Sequence, residues 1–190
     1  MASTVEICNN ALIALGAETI MALTENSKAA RLCNARFASA RDAVLRAHPW
    51  NCAMARTSLA QESSSPAFGY SYSYQLPGDC LRVIQAYGAD KEPIDDWQVE
   101  GRSLLCDEAT VYIKYIKRVT DPNQLDSLCR EAISARLAAE IAYALTQSRT
   151  AEKNMWEIYN GLKLTEARAI DAQEGTPVDE SEDSWITVRG

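Results

Sequence analysis

The chain has 190 residues, enough for one domain with a sizeable core, and its 47% apolar share is that of an ordinary globular fold. Lys and Arg number 19 against 26 Asp and Glu, a formal charge of −7, which argues against a surface built to grip nucleic acid, since phosphate binding calls for a basic patch. No basic segment followed by an apolar run opens the chain and no apolar stretch approaches ~18 residues, so neither a signal peptide nor a membrane span is expected.

Ser3-Thr4-Val5-Glu6 has the spacing of a capping box, with Ser3 as N-cap and Glu6 at N3. Ile7, Leu12 and Leu15 supply apolar positions, and Gly16 is a natural C-terminal cap. A loop through Thr24-Glu25-Asn26-Ser27 leads to a longer helix over Lys28–Ala47, where Cys33, Phe37, Ala40 and Val44 share one face. Pro49 ends it by pushing His48 out of the helical region. Arg31, Arg36, Arg41 and Arg46 recur every five residues of this helix. Five steps turn about 500°, so the four fan around the axis instead of lining a stripe. Solvated helix charge is the plain reading; the functional one makes them candidate intersubunit contacts.

Residues 50–60 read as extended, and Gln61-Glu62-Ser63-Ser64-Ser65-Pro66 as an exposed polar loop. Tyr70, Tyr72 and Tyr74 alternate with serines, which predicts a strand with one aromatic and one small polar face. Pro77-Gly78 stops it in a turn, and Asp79 is expected to cap a short helical turn through Cys80-Leu81-Arg82. The tyrosines admit two readings. They are candidate intersubunit contacts, because tyrosine is enriched at interface hot spots. Alternatively they pack on the helical block with their hydroxyls at the wet rim, as expected of at least two of the three.

Arg82-Val83-Ile84-Gln85-Ala86-Tyr87 reads as another strand, and Gly101-Arg102 as the turn of a hairpin between Trp97–Glu100 and Ser103–Cys106. Thr110-Val111-Tyr112-Ile113-Lys114-Tyr115-Ile116-Lys117 is β-branched and aromatic, with Val111, Ile113 and Tyr115 on one face. Asp121 and Pro122 are the expected N-cap and N1 of a second helical block, with Leu125, Leu128, Cys129, Ala132, Leu137 and Ile141 as its apolar positions. Residues 132–144 are rich in alanine, which lets neighbours approach closely and predicts a central place in a bundle. After a break at 148–150, a last helix over 151–172 carries the stripe Met155, Ile158, Tyr159, Leu162 and Ala169.

Beyond Gln173 the composition shifts. Gly175-Thr176-Pro177 breaks structure, Asp179-Glu180-Ser181-Glu182-Asp183 is acidic, and Trp185-Ile186-Thr187-Val188 is apolar. The expectation is a flexible acidic tail whose apolar end, Trp185, Ile186 and Val188, docks on another subunit by strand addition or insertion. The fold class expected is α+β. It consists of a helical bundle from N- and C-terminal helices (1–48 and 121–172), a β-rich middle insertion (50–120) and an extended C-terminal tail (173–190).

Little in the chain points to chemistry. Cys8, Cys33, Cys52, Cys80, Cys106 and Cys129 form no CxxC and sit in apolar or periodic segments, as reduced core cysteines do. The single histidine, His48, reads as a structural helix-end residue. Asp95-Asp96 and Asp107-Glu108 lie beside turns, and adjacent strand carboxylates face opposite ways. No catalytic, cofactor-binding or metal-ligating residue is assigned, and no enzyme is expected.

The tyrosine strand followed by Leu76-Pro77-Gly78-Asp79-Cys80-Leu81-Arg82-Val83 resembles a segment of the tail tubular protein A family, the head-to-tail adaptors of short-tailed bacteriophages. Three other runs are similar to the family's pattern: Ile7-Cys8-Asn9-Asn10-Ala11-Leu12-Ile13-Ala14-Leu15-Gly16-Ala17, Ala43-Val44-Leu45-Arg46-Ala47-His48-Pro49-Trp50-Asn51-Cys52-Ala53 and Ala132-Ile133-Ser134-Ala135-Arg136-Leu137-Ala138-Ala139-Glu140-Ile141-Ala142. Their order and spacing carry the resemblance, which stops at about Ala172. It implies a structural virion protein at the head-tail junction, made in the host cytoplasm. Twelve copies would form a ring between the portal protein and the tail nozzle, with tail fibres or spikes as further partners. DNA would pass through the lumen without specific binding, eased by acidic walls that repel phosphate. Another virion module (a head-completion or nozzle subunit) and a tail-associated cell-wall hydrolase are the alternatives.

Overall fold

The computed structural model describes residues 2–174. Helix α1 (Thr4–Ala14) begins at the Ser3/Glu6 capping box. It ends with Gly16 at φ +67°, where the N–H groups of Gly16 and Ala17 donate to Ile13 and Leu12. That pair is a Schellman motif, and it needs the left-handed residue that glycine supplies. Helix α2 (Lys28–Ala47) starts at N-cap Ser27 and stops at His48, which is extended. Its predicted face is buried throughout: Cys33, Phe37, Ala40 and Val44.

The middle of the chain forms two antiparallel sheets. One has the order β1-β7-β3-β4, with β1 Met54–Ser58, β3 Cys80–Tyr87, β4 Pro93–Ile94 and β7 Tyr112–Lys117. The other has the order β2-β6-β5, with β2 Tyr72–Gln75, β5 Trp97–Glu100 and β6 Ser103–Cys106. Glu100 pairs with Ser103 across the expected Gly101-Arg102 turn, and Gly101 has φ +59°. A left-handed glycine at the first turn position is the mark of a tight hairpin whose twist matches its strands.

Strand β7 holds the layers together. Val111, Ile113 and Tyr115 face the second sheet, sharing a cluster with Tyr74, Leu76, Leu104 and Cys106. Ile116 faces the other way, into the helical core. Met54, Leu81 and Ile84 lean on the helices, while Ala55 and Val83 lean on the second sheet. The period-two alternation of side chains thus makes the first sheet a middle layer between the helices and the second sheet. The α+β class holds, with one refinement: both faces of this sheet are used.

Helix α3 (Ser127–Thr146) is the centre of the bundle, packing against α1, α2 and α4 (Arg149–Ile158). A π-helical turn, Tyr159–Lys163, joins α4 to α5 (Leu164–Asp171), so the last three pieces run on as one helix. A short 3-10 turn, Ala172–Glu174, follows. No helix among the described residues is long and apolar enough to cross a membrane.

Four expectations need correction. Cys80-Leu81-Arg82 is the start of β3 and not a helical turn; Cys80 N–H donates to Pro77, closing a β-turn instead. Residues 50–60 are only partly extended, because a 3-10 turn, Asn51–Ala53, precedes β1. Asp121 caps only a 3-10 turn, Pro122–Gln124, because Leu125 goes extended to bury its side chain. The long helix starts at Ser127 with Asp126 as N-cap, its carboxylate accepting from Leu128 and Cys129 at 2.7 and 3.1 Å. Finally, the stripe of the last helix shifts. Met155 and Tyr159 are buried, but Ile158, Leu162 and Ala169 are exposed, and beyond Tyr159 the inward positions are Leu164, Ala167 and Asp171. The π turn holds one more residue than an α turn, so the inward position after Tyr159 comes five residues later. Because Ile116 is fully buried in the helical core on the strand whose other face packs on the second sheet, Ile116→Ala should cost about 2–5 kcal/mol. Urea unfolding followed by both circular dichroism and tryptophan fluorescence should still show one coincident transition.

Candidate interaction surfaces

The four arginines of α2 meet four different surroundings, as their 140° offsets require. Arg31 is exposed and donates to Asn26 at 2.8 Å; Arg36 is exposed on the outer face. Arg41 is buried, which corrects its assignment as an intersubunit contact: its guanidinium lies 2.7 Å from Asp42. The other Asp42 oxygen takes Arg118 at 2.7 Å. One carboxylate therefore ties α2 to the chain just past β7. Arg46 reaches over to the Leu81 carbonyl at the start of β3.

The tyrosines also divide. Tyr70 lies before the strand and donates to Asp96 at 2.8 Å. Tyr72 is half-buried with its ring 6.5 Å from that of Tyr74. Tyr74 is 1% exposed, which corrects its place among the intersubunit contacts: it fills the core between the sheets. Its hydroxyl does not reach water at a rim but donates to the Glu108 carbonyl. On the opposite face Ser73 is buried too, its hydroxyl held by Glu62. Asp107 is engaged by the Ser71 N–H at 2.7 Å, so the neighbouring carboxylates Asp96 and Asp107 both serve to fix the tyrosine segment. Trp185, Ile186 and Val188 lie outside the described residues.

A junction that the sequence did not announce sits where α5 meets the end of α2. Asp171 is buried, accepts from His48 Nε2 at 3.1 Å and from the Asn51 N–H at 3.0 Å, and its backbone carbonyl accepts from Asn51 Nδ2 at 2.7 Å. A carboxylate only accepts, so Nε2 carries the proton of the neutral ring. Arg168 adds a bond to the Ala47 carbonyl at 3.1 Å. Desolvation pulls the His48 pKa below its ordinary value; the carboxylate of Asp171 resists, and the nearby Arg168 and Arg82 add to the fall. The signal in the sequence was weak, because a lone Asp on a helix of unknown register gives no partner.

Several large apolar side chains remain exposed on the helical body. Ile13 of α1 is 61% exposed, Leu162 of the π turn 55% and Ile158 of α4 40%. Ile158 lines a groove of about 310 Å³ whose walls also include Asn10, Ala14, Glu131, Met155 and Lys163. Phe68, at 90%, and Met21, at 93%, project from loops.

Among the described residues no three His, Cys, Asp or Glu side chains gather to hold a metal ion. Two pairs of thiols do interact. The neighbouring Cys129 thiol lowers the pKa of half-buried Cys52 to about 7, while Cys52 and burial push Cys129 up. Cys8 and Cys33 form the same kind of pair inside the helical core, with Cys8 raised and Cys33 lowered.

Two outcomes follow from these groups. Folding favours neutral His48, so its contribution is intact above the unfolded value of about 6.5 and is lost as pH falls below it. Melting curves at pH 7.5 and 5.0 should show a loss in Tm that shrinks in His48→Gln, while Asp171→Ala, which strands the Asn51 N–H, should cost about 1–3 kcal/mol at pH 7.5. At neutral pH, Cys52 should be the first of the six cysteines to take iodoacetamide, as read by peptide mass mapping. No family model matches the chain, and no curated protein matches it either.

Proposed function

We propose that the chain is a subunit of a ring-forming head-to-tail connector of a short-tailed bacteriophage, seated between the portal protein and the tail nozzle as part of the DNA ejection channel. The observation that carries this reading is the exposure of the large apolar side chains Ile13, Ile158 and Leu162 on the helical body. Burying such a side chain is worth about 1.5–3 kcal/mol each, so their exposure favours a covering partner.

A closed ring needs a heterologous interface, in which one patch of each subunit meets a different patch of the next. Ile13 lies on α1, Ile158 on α4 and Leu162 in the π turn. A second, unlike patch is available on α2, where Arg31 and Arg36 are exposed. Tyr70 stays near the surface and is available to tail components, whereas Tyr74 is spent on the core. Further support is the order of the four resembling segments along the chain. Charge fits as well: each copy brings −7, and acidic channel walls do not hold passing DNA. The mechanism is mechanical, resting on fit between subunits.

Mixing the purified chain with portal protein should yield closed rings in class-averaged electron micrographs, and the mass of the complex should give the copy number. Ile13→Glu combined with Leu162→Glu should leave the circular dichroism unchanged and abolish ring closure. Deleting residues 184–190 should abolish portal attachment with the fold intact; a truncated subunit that still attaches, or a complex whose mass fits a head-completion or nozzle subunit, sinks the reading.

A further inference from the structure

A recess lies where β3, the β5–β6 hairpin and the end of α2 meet. It is a groove of about 320 Å³ lined by Arg46, Arg82 and Arg102, with Trp97, Val99 and Leu81 as its apolar wall. Among the described residues no acidic side chain lines it. Strand alternation explains this: Trp97 and Val99 face the groove, while Gln98 and Glu100 face the opposite side, where they line a separate cleft. The nearby carboxylates are occupied. Asp79 accepts from the Tyr115 hydroxyl at 3.3 Å, and Asp42 is held between Arg41 and Arg118. In a chain of charge −7, three arginines and a tryptophan lining one groove make a site for an anionic ligand with an aromatic or aliphatic anchor.

We propose that this groove is a peptide-docking site and that its occupant is the chain's own C-terminal segment, residues 179–186. Two features of the chain select that occupant. The first is complementarity: Asp179-Glu180-Ser181-Glu182-Asp183 brings four carboxylates, and Trp185-Ile186 follows as the apolar anchor. The second is where the chain leaves the fold. Asp171 is bonded to His48 and Asn51, and His48 is two residues past Arg46, a groove residue. The described chain ends at Glu174, three residues beyond Asp171. The five residues from Glu174 to Asp179 span up to about 17 Å. Attachment that close raises the effective concentration of the segment at the groove to about the millimolar range, so modest pairwise contacts suffice. A segment held there is withheld from any other partner until that partner competes it away.

The arginines are not equivalent as probes. Arg46 and Arg102 also hold backbone carbonyls of Leu81, Pro77 and Cys80, whereas among the described residues Arg82 makes no such bond. Arg82→Glu is therefore the clean variant in the groove, and Asp179→Asn, Glu180→Gln, Glu182→Gln and Asp183→Asn together form the matching variant in the segment, away from the fold. The readout is amide hydrogen exchange of residues 178–188 in the full chain by mass spectrometry.

At 50 mM NaCl the segment should exchange about tenfold slower than the same sequence as a free peptide. That protection should fall to about onefold in either variant and at 1 M NaCl, where screening reaches about 3 Å. It should not change on hundredfold dilution. Exchange at the free-peptide rate in the wild-type chain overturns the proposal, as does protection that ignores salt and both variants. Protection that vanishes on dilution assigns the groove to a second copy and overturns the occupant named here.

Discussion

The bundle depends on how little space α3 takes up. Ala132, Ala135, Ala138, Ala139 and Ala142 are all buried, together with Ile133, Leu137 and Ile141, so the helix is covered around most of its circumference. Small side chains set the axis-to-axis distance near the short end of 8–10 Å. Three helices exploit that at once, which leaves no free side toward which a larger residue could relax. The less buried face is closed differently. Arg136 bonds to Glu140 at 2.8 Å, and its guanidinium lies 4.9 and 5.4 Å from the ring centres of Trp156 and Tyr159. A charge thus covers two aromatic rings of the last helical segment.

The π turn follows from the same geometry. The last helix must pass along α3 and still deliver Asp171 to the end of α2. Widening one turn at Tyr159–Lys163 rotates everything beyond it, so that Leu164, Ala167 and Asp171 point inward. Thr165 stabilises the wide turn by donating from Oγ1 to the Asn160 carbonyl at 3.1 Å. Without the extra residue, Leu162 and Ala169 would take the inward positions and the His48–Asp171–Asn51 junction would have no acceptor. Exposure of Leu162 is the other side of that shift, so one local irregularity both builds the junction and leaves an apolar residue on the surface.

Elements governed by local rules were legible in the sequence. The Ser3/Glu6 box, Gly16, Pro49 and the Gly101 hairpin each act within a few residues, and each sits where its chemistry requires. The one-face pattern of α2 was equally clear, because twenty residues give the helical period room to show. What stayed hidden was decided by distant parts of the chain. The sequence shows Val111, Ile113 and Tyr115 as one face of a strand, but only the helices beneath explain why Ile116 is buried as well. Tyr70, Tyr72 and Tyr74 look alike in a period-two run, yet they are separated by depth: the run enters the sheet at Tyr72 and is fully covered at Tyr74. A groove such as that between Arg46, Arg82 and Arg102 cannot be read from spacing at all, since its three arginines come from three elements.

Net charge and local charge make opposite demands on association. Two copies of −7 repel at distances beyond contact, and this repulsion weakens as salt shortens the Debye length from about 10 Å at 0.1 M. The arginine groove attracts carboxylates only at contact range, and salt weakens that attraction too. Ile13, Ile158 and Leu162 carry no charge, so burial of such side chains is insensitive to screening and is strengthened by excluded salts such as sulfate. The two kinds of contact therefore separate by sign. On the two proposals made above, added salt would favour copies meeting through these apolar side chains and would disfavour a carboxylate segment lying among Arg46, Arg82 and Arg102.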